Sequence, residues 1–356
     1  MVIIFSLLLI SGIIAGQAFD FSAVRGPLTL ITSACLAYIM IEVGLEFSAE
    51  KRDIRSYGWD SAIAAGAAIL PALLWFGYFL MLQTPWKPAL LSGLSAAPTS
   101  AGVLFAMLMA AGLSSTWVFK KARVLAVLDD LLAILLLTPL QVIIQGFHWE
   151  SAVLISLILF LLFASFRWQN ILHWPVSPAW MLGYGTALAV IVFFVRNTTH
   201  IHLEVLIPAF TLGCLMRLQG HGPAPSSMKL SLDSVIKGLF MFLVGLSFPK
   251  VEIGSIPLAA TVGHVVMLTI LSNVGKSFIL FCYSKEVSLK ERLALSIAMY
   301  PRGEVGAAVL LIALGYGFGG YVTSLALLSL ALNLVLTGAF IWAVIKLLEK
   351  KQTVSL

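Results

Sequence analysis

Hydrophobic positions in this chain come in long runs rather than in alternation. Twelve apolar segments stand out, covering 2–19, 28–47, 59–82, 89–111, 122–145, 151–166, 178–195, 203–216, 230–248, 258–283, 293–316 and 322–348. Most reach the ~20 residues that a helix needs to cross the hydrocarbon of a bilayer. The eighth is short. Charged residues are largely confined to the connections. The pattern predicts an all-α membrane protein of about twelve transmembrane helices, forming a single domain over 1–356. The nearest thing to a linker is GHGPAPSS at 220–227, about two thirds along the chain.

Composition supports this. Hydrophobic residues make up 60% of the chain, charged ones 11%, and mean hydropathy is +1.02. A soluble domain carries about 25% charged residues, so a soluble enzyme and a disordered chain are both excluded. The net charge of +6 does not point to nucleic acid, because the basic residues form short clusters between apolar runs rather than a patch. Cys35, Cys214 and Cys282 lie in apolar stretches without metal-type spacing, so neither a disulfide framework nor a metal site is implied. The N-terminal run lacks a basic leader and reads as a retained first helix. Fifteen lysines and arginines fall after even-numbered segments or, for Arg123 and Lys346, just inside the same ends of segments five and twelve, against four after odd-numbered ones. By the positive-inside rule both termini are expected in the cytoplasm. No hydrophilic domain follows the last segment, so any regulatory domain is expected to be absent or on a separate chain.

An ionisable side chain inside a membrane costs at least ~2.5–3.5 kcal/mol on insertion scales. Those that need a reason are Glu42, Asp129, Asp130, Lys237, Lys276, Arg302 and Glu304. Asp129 and Asp130 lie about eight residues into ARVLAVLDDLLAILLLTPL, ~12 Å along a helix and too deep for a short side chain to reach the interface. As helix neighbours they point ~100° apart, so one can face a cavity and the other a neighbouring helix. Desolvation and mutual repulsion disfavour their charged forms, so such a group can exchange a proton for a metal cation. The bland alternative is a structural pair buried against polar groups. Lys276, in TILSNVGKSFILFCYS, either snorkels to the near surface or pairs with one of these aspartates.

Segment four reads LLSGLSAAPTSAGVLFAM, with Pro98 mid-span before Thr99 and Ser100. Segment eleven reads LALSIAMYPRGEVGAAVLLIAL, with Pro301 before Arg302, Gly303 and Glu304. Proline removes a backbone donor and frees a carbonyl. Two interrupted helices at corresponding places in two halves point to a transporter's ion site; ordinary proline kinks are the alternative. If segments three to five repeat as ten to twelve, the breaks are central in each triplet and the repeats insert in opposite orientation. The remaining signals are weaker. Glu42 either lines the cytoplasmic approach or faces Lys51 or Arg52, the latter being favoured. Lys237 reads as interfacial, and GIIAG (Gly12, Gly16) allows close helix packing. His148, His173, His200, His202 and His221 fall in loops, and His264 begins segment ten.

In these residues the chain resembles the cation:proton antiporter superfamily, specifically its bacterial sodium/proton and potassium/proton exchangers. The resemblance rests on Pro98-Thr99-Ser100, on VLDDLLAI, on KGLFMFLVGLSF in segment nine, on Lys276 and on PRGEVGAAV. It implies inverted repeats with two crossed discontinuous helices, segments 4 and 11, and a homodimer. The core would be 59–145 and 258–348, the dimer scaffold 1–58 and 203–248, with 151–195 connecting. It also implies roles. Asp130 would bind the cation and exchange it for protons, and Asp129 would pair with Lys276 until the cation enters. Thr99 and Ser100 would supply oxygens, with Pro98, Arg302 and Glu304 supporting the breaks. Where some sodium exchangers have an aspartate in segment four, this chain has Ala97-Pro98-Thr99, which leaves Glu304 to neutralise the break. Asp-Asp rather than Asn-Asp resembles the electrogenic class.

The chain is thus expected to exchange Na⁺ (and Li⁺) for H⁺ across a prokaryotic plasma membrane, with no cofactor, no enzymatic activity and no nucleic-acid partner. A K⁺/H⁺ exchanger with the same site is the nearest rival. A sodium-coupled organic anion symporter is a further one, although the residues at the breaks are mostly Ala and Gly. A channel or sensor accounts less well for the aspartates and lysine.

Overall fold

A computed structural model describes residues 2–19, 21, 24–46, 54–100, 104, 105, 108, 111–145, 175–199, 205–218, 232–247 and 257–348. Among them are twelve α-helices and no strand. In chain order these are α1 (Val2–Ala18), α2 (Arg25–Glu46), α3 (Ile54–Met81), α4 (Trp86–Leu94), α5 (Trp117–Gln145) and α6 (Pro178–Thr199). The second half holds α7 (Leu206–Leu218), α8 (Leu232–Leu246), α9 (Leu258–Lys276), α10 (Leu289–Ala298), α11 (Glu304–Gly315) and α12 (Tyr321–Leu348).

The helices do not map one to one onto the apolar runs. Segment eleven is split into α10 and α11. Segment four starts as α4, loses helical form over 95–100, and is helical again at Leu104, Phe105 and Leu108. Segment six (151–166) and the five loop histidines lie outside the described residues, as do Lys51 and Arg52. Five helical stretches, Gly26–Leu45, Gly58–Met81, Pro178–Val195, Leu258–Phe281 and Tyr321–Leu348, are long and apolar enough to cross a membrane. The halves of the interrupted segments are too short to do so alone.

Local chemistry sets several ends. Ser288 and Glu291 form a reciprocal capping box that starts α10, two otherwise orphaned N–H groups being satisfied at once. Pro85 and Pro257 stand just before α4 and α9, where a missing N–H costs nothing. At its far end α9 tightens into a 3-10 turn, Ser277–Phe281.

Two groups of helices pack together. In one, α1 lies along α8 and α2 lies along α6, α7 and α8; in the other, α3, α4, α5, α9, α10, α11 and α12 interlock. Contacts of α1 with α12 and of α8 with α11 join the groups. Small residues set the spacing. A Cβ on Gly12 would lie 2.2 Å from Phe242 O, and one on Gly245 2.4 Å from Leu9 O, so GIIAG seats α1 on α8. Between α3 and α9, Gly275 sits against Pro71, and the buried Trp75 Nε1 donates to Leu268 O at 2.7 Å.

Candidate functional site

The two helix breaks meet. Ser100, past Pro98, donates its N–H to Pro301 O across the gap at 2.9 Å. The approach depends on missing side chains. A Cβ on Gly303 would stand 2.6 Å from Ser100 Oγ, and one on Gly306 2.6 Å from Ser95 O. Buried carbonyls beside the two breaks need donors, and Arg302 supplies them. Its Nη1 reaches Met299 O at 3.1 Å and Pro98 O at 3.4 Å. Its Nε donates to Ser272 Oγ at 3.0 Å, and Nη2 reaches Ser272 O at 3.4 Å. One guanidinium thus ties both breaks to α9. Ser100 Oγ donates to Glu304 Oε2 at 2.8 Å, linking the first break to the first turn of α11.

Against these breaks lies the middle of α5. Lys276 Nζ of α9 forms an ion pair with Asp129 Oδ2, and Thr99 Oγ1 donates to the same oxygen at 2.7 Å while lying 3.2 Å from Met299 O. The other oxygen, Asp129 Oδ1, accepts no hydrogen bond among the described residues. Asp130 follows one residue on, also buried.

Asp129, Lys276 and Arg302 are each 0% exposed, Asp130 1% and Glu304 6%, so solvent does little to screen these charges from one another. Taken fully ionised, three carboxylates face two cations, leaving one excess negative charge. A single monovalent cation or a single proton would balance it. The oxygens gathered here are carboxylate, hydroxyl and carbonyl, the hard donors that hard cations take.

The structure thus brings Pro98, Thr99, Ser100, Asp129, Asp130, Lys276, Arg302 and Glu304 to one place. It adds Ser272 and the Met299 carbonyl, which the sequence alone did not single out. Ser272 lies four residues before Lys276 and so on the same face of α9, a spacing visible in the sequence. Two weaker readings are corrected. Glu42 pairs with Lys237 of α8 at 2.7 Å, and Lys237 is held also by Asp233 at 3.2 Å, with a side chain only 12% exposed. Lys237 is therefore a buried bridge between α2 and α8 rather than an interfacial lysine, because two carboxylates offset its desolvation. His264 is packed into the bundle, its Nδ1 2.7 Å from Tyr78 OH.

A family model described as "Sodium/hydrogen exchanger, transmembrane" matches residues 3–346. The chain belongs to the sodium/hydrogen exchanger family. This family is a class of membrane transporters for monovalent cations and protons and not a class of enzymes. Among solved structures, the chain is similar to the sodium proton antiporter MjNhaP1 from Methanocaldococcus jannaschii. The TM-score is 0.59 at 16% identity, over 97% of this chain and 92% of that one. The likeness is one of fold, and this exchanger shares the all-helical antiporter architecture. No curated protein matches the sequence.

Proposed function

We propose that the chain is a secondary-active antiporter that exchanges Na⁺, and Li⁺ with it, for H⁺ by alternating access. The observation that carries this reading is the wholly buried Asp129–Lys276 pair, seated where two interrupted helices meet. Asp130 binds the cation and gives up a proton to do so. Asp129 joins it when the cation displaces the Lys276 ammonium. Thr99 and Ser100 supply neutral oxygens, and Arg302 and Glu304 hold the breaks in register. Proton and cation occupy the same carboxylates, so each excludes the other and exchange follows from competition.

If Asp130 releases one proton and the Lys276 ammonium, displaced from Asp129, releases a second as one Na⁺ loads, two positive charges are exchanged for one and transport is electrogenic. The bundle of α3, α4, α5 and α9 to α12 would move against the layer of α1, α2, α7 and α8, through which two copies would associate. The basic loops place both termini in the cytoplasm of a prokaryotic cell.

The test is cation-driven proton movement in proteoliposomes, read with a lumenal pH dye, for wild type and Asp130→Asn. We expect dye recovery with Na⁺ or Li⁺ that vanishes in the variant. Recovery with K⁺ alone would reassign the ion and keep the machinery. No recovery with any cation, in folded protein, would overturn proton exchange and leave sodium-coupled anion symport to be tested.

A further inference from the structure

A further, largely buried ion pair lies outside the site. Asp60, near the start of α3, is 5% exposed. Lys121 Nζ of α5 stands 2.9 Å from each of its carboxylate oxygens, and Tyr283 OH donates to Oδ1 at 2.6 Å. The same ammonium lies 4.8 Å from the centre of the Tyr283 ring, and Trp117 packs edge-on against that ring at 5.4 Å. Glu286 reaches Lys121 only at 4.0 Å and is 45% exposed, so it adds little.

Tyr283 has a φ of +56°. Such a left-handed backbone is unusual for a bulky side chain and costs ~1–3 kcal/mol. It persists only where the surroundings over-determine it. Here the hydroxyl is fixed by Asp60 of α3 and the ring is contacted by Trp117 and Lys121 of α5.

The placement of these groups in the chain connects them to the site. Asp129 follows Lys121 by eight residues on α5, ~12 Å along the helix. Tyr283 follows Lys276 by seven residues, through the 3-10 turn Ser277–Phe281. The cluster therefore joins the same two segments that meet in the Asp129–Lys276 pair, and Asp60 ties both to α3.

We infer that Asp60, Lys121 and Tyr283 form a positioning clamp that sets the reach of Lys276 to Asp129, and so how strongly that pair competes with the transported cation. The clamp acts through the pair and thus presupposes the exchange reading of Asp129 and Lys276. A tie that served folding alone would change stability and leave cation affinity untouched. A clamp changes affinity, and only while Lys276 is present to be positioned.

Na⁺-dependent thermal stabilisation of the purified full chain reads binding even in variants that do not transport. The variants are Tyr283→Phe and Asp60→Asn, each alone and combined with Lys276→Met. Lys276→Gln stands in if the methionine variant fails to fold. We expect each clamp variant to shift the half-saturating Na⁺ concentration by about threefold or more, within the range of coupled residues. The shift should follow the direction of Lys276→Met and add nothing to it in the double variant. Lys121→Arg, which keeps the charge on Asp60, should bind like wild type.

Tyr283→Asn accepts the left-handed backbone while removing ring and hydroxyl. Its relief of backbone strain offsets only part of the buried packing it loses, yet the folded variant should show the affinity shift, which gives a second reading if Asp60→Asn is unstable. No shift in any folded clamp variant, or an equal shift with and without Lys276, overturns the clamp. Stabilisation absent from wild type, or retained in Asp130→Asn, overturns the exchange reading and the clamp with it.

Discussion

Arg302 illustrates how a fixed charge is kept in the interior of this protein. Its guanidinium reaches three carbonyls and one hydroxyl, drawn from both helix breaks and from α9. Removing it would strand those carbonyls, so Arg302→Met should destabilise the protein by about 2 kcal/mol or more. Lysine carries the charge but not the planar fork that spans separated acceptors, so Arg302→Lys should recover only part of the loss. Thermal unfolding of the purified protein checks both, and two variants that unfold with wild type would contradict this role. The cost of a charge in a membrane was enough to single out Asp129, Asp130, Lys276, Arg302 and Glu304 from the sequence. It was not enough for Asp60, because a charge at the edge of an apolar run is ordinary. Nor could it assign Glu42 to Lys237, since the partner is brought close by the packing of α2 on α8 and not by spacing along the chain.

Among the helices, glycine decides where backbones touch. A Cβ at residue 303 would press on Ser100 Oγ and disturb its bond to Glu304. Gly303→Ala should therefore abolish or sharply reduce exchange while the protein still folds, as measured by proteoliposome transport alongside thermal unfolding. Gly12→Ala, against Phe242 O, is overpacking in a tight helix pair and should cost about 1–3 kcal/mol of stability. A methyl group on Gly263 would meet nothing within 4 Å, so Gly263→Ala should cost no stability, and at most gain ~1 kcal/mol from helix propensity, and serves as the control. Membrane-spanning helices were legible because apolar length is a strong signal, and both interruptions were legible from a mid-span proline, Pro98 among small residues and Pro301 beside Arg302 and Glu304. Boundaries were less so. Helix α5 begins at Trp117, before the apolar run, because Lys120, Lys121 and Arg123 extend it beyond the hydrophobic stretch, with Lys121 buried on Asp60.

For the molecule as a whole, the proposed competition between proton and cation sets the sign of the pH response. If protons compete with Na⁺ for the site, the apparent KM for Na⁺ should rise as pH falls, by at most about tenfold per unit for each competing proton. Transport assays at fixed cation gradients across a pH series check this, and a KM independent of pH would contradict it. An all-helical membrane protein was foreseeable from composition and runs of apolar residues, and the exchanger family from the resemblance carried by VLDDLLAI, Lys276 and PRGEVGAAV. The detailed packing of the two helix groups was not, since it depends on glycine contacts between helices distant in sequence. In the exchange proposed, proton and cation share one buried carboxylate site. The most direct test is proton release when Na⁺ is added to weakly buffered, detergent-purified protein at alkaline pH. Protons should be released in step with Na⁺ binding by wild type and not by Asp130→Asn. Na⁺ binding without proton release would contradict it.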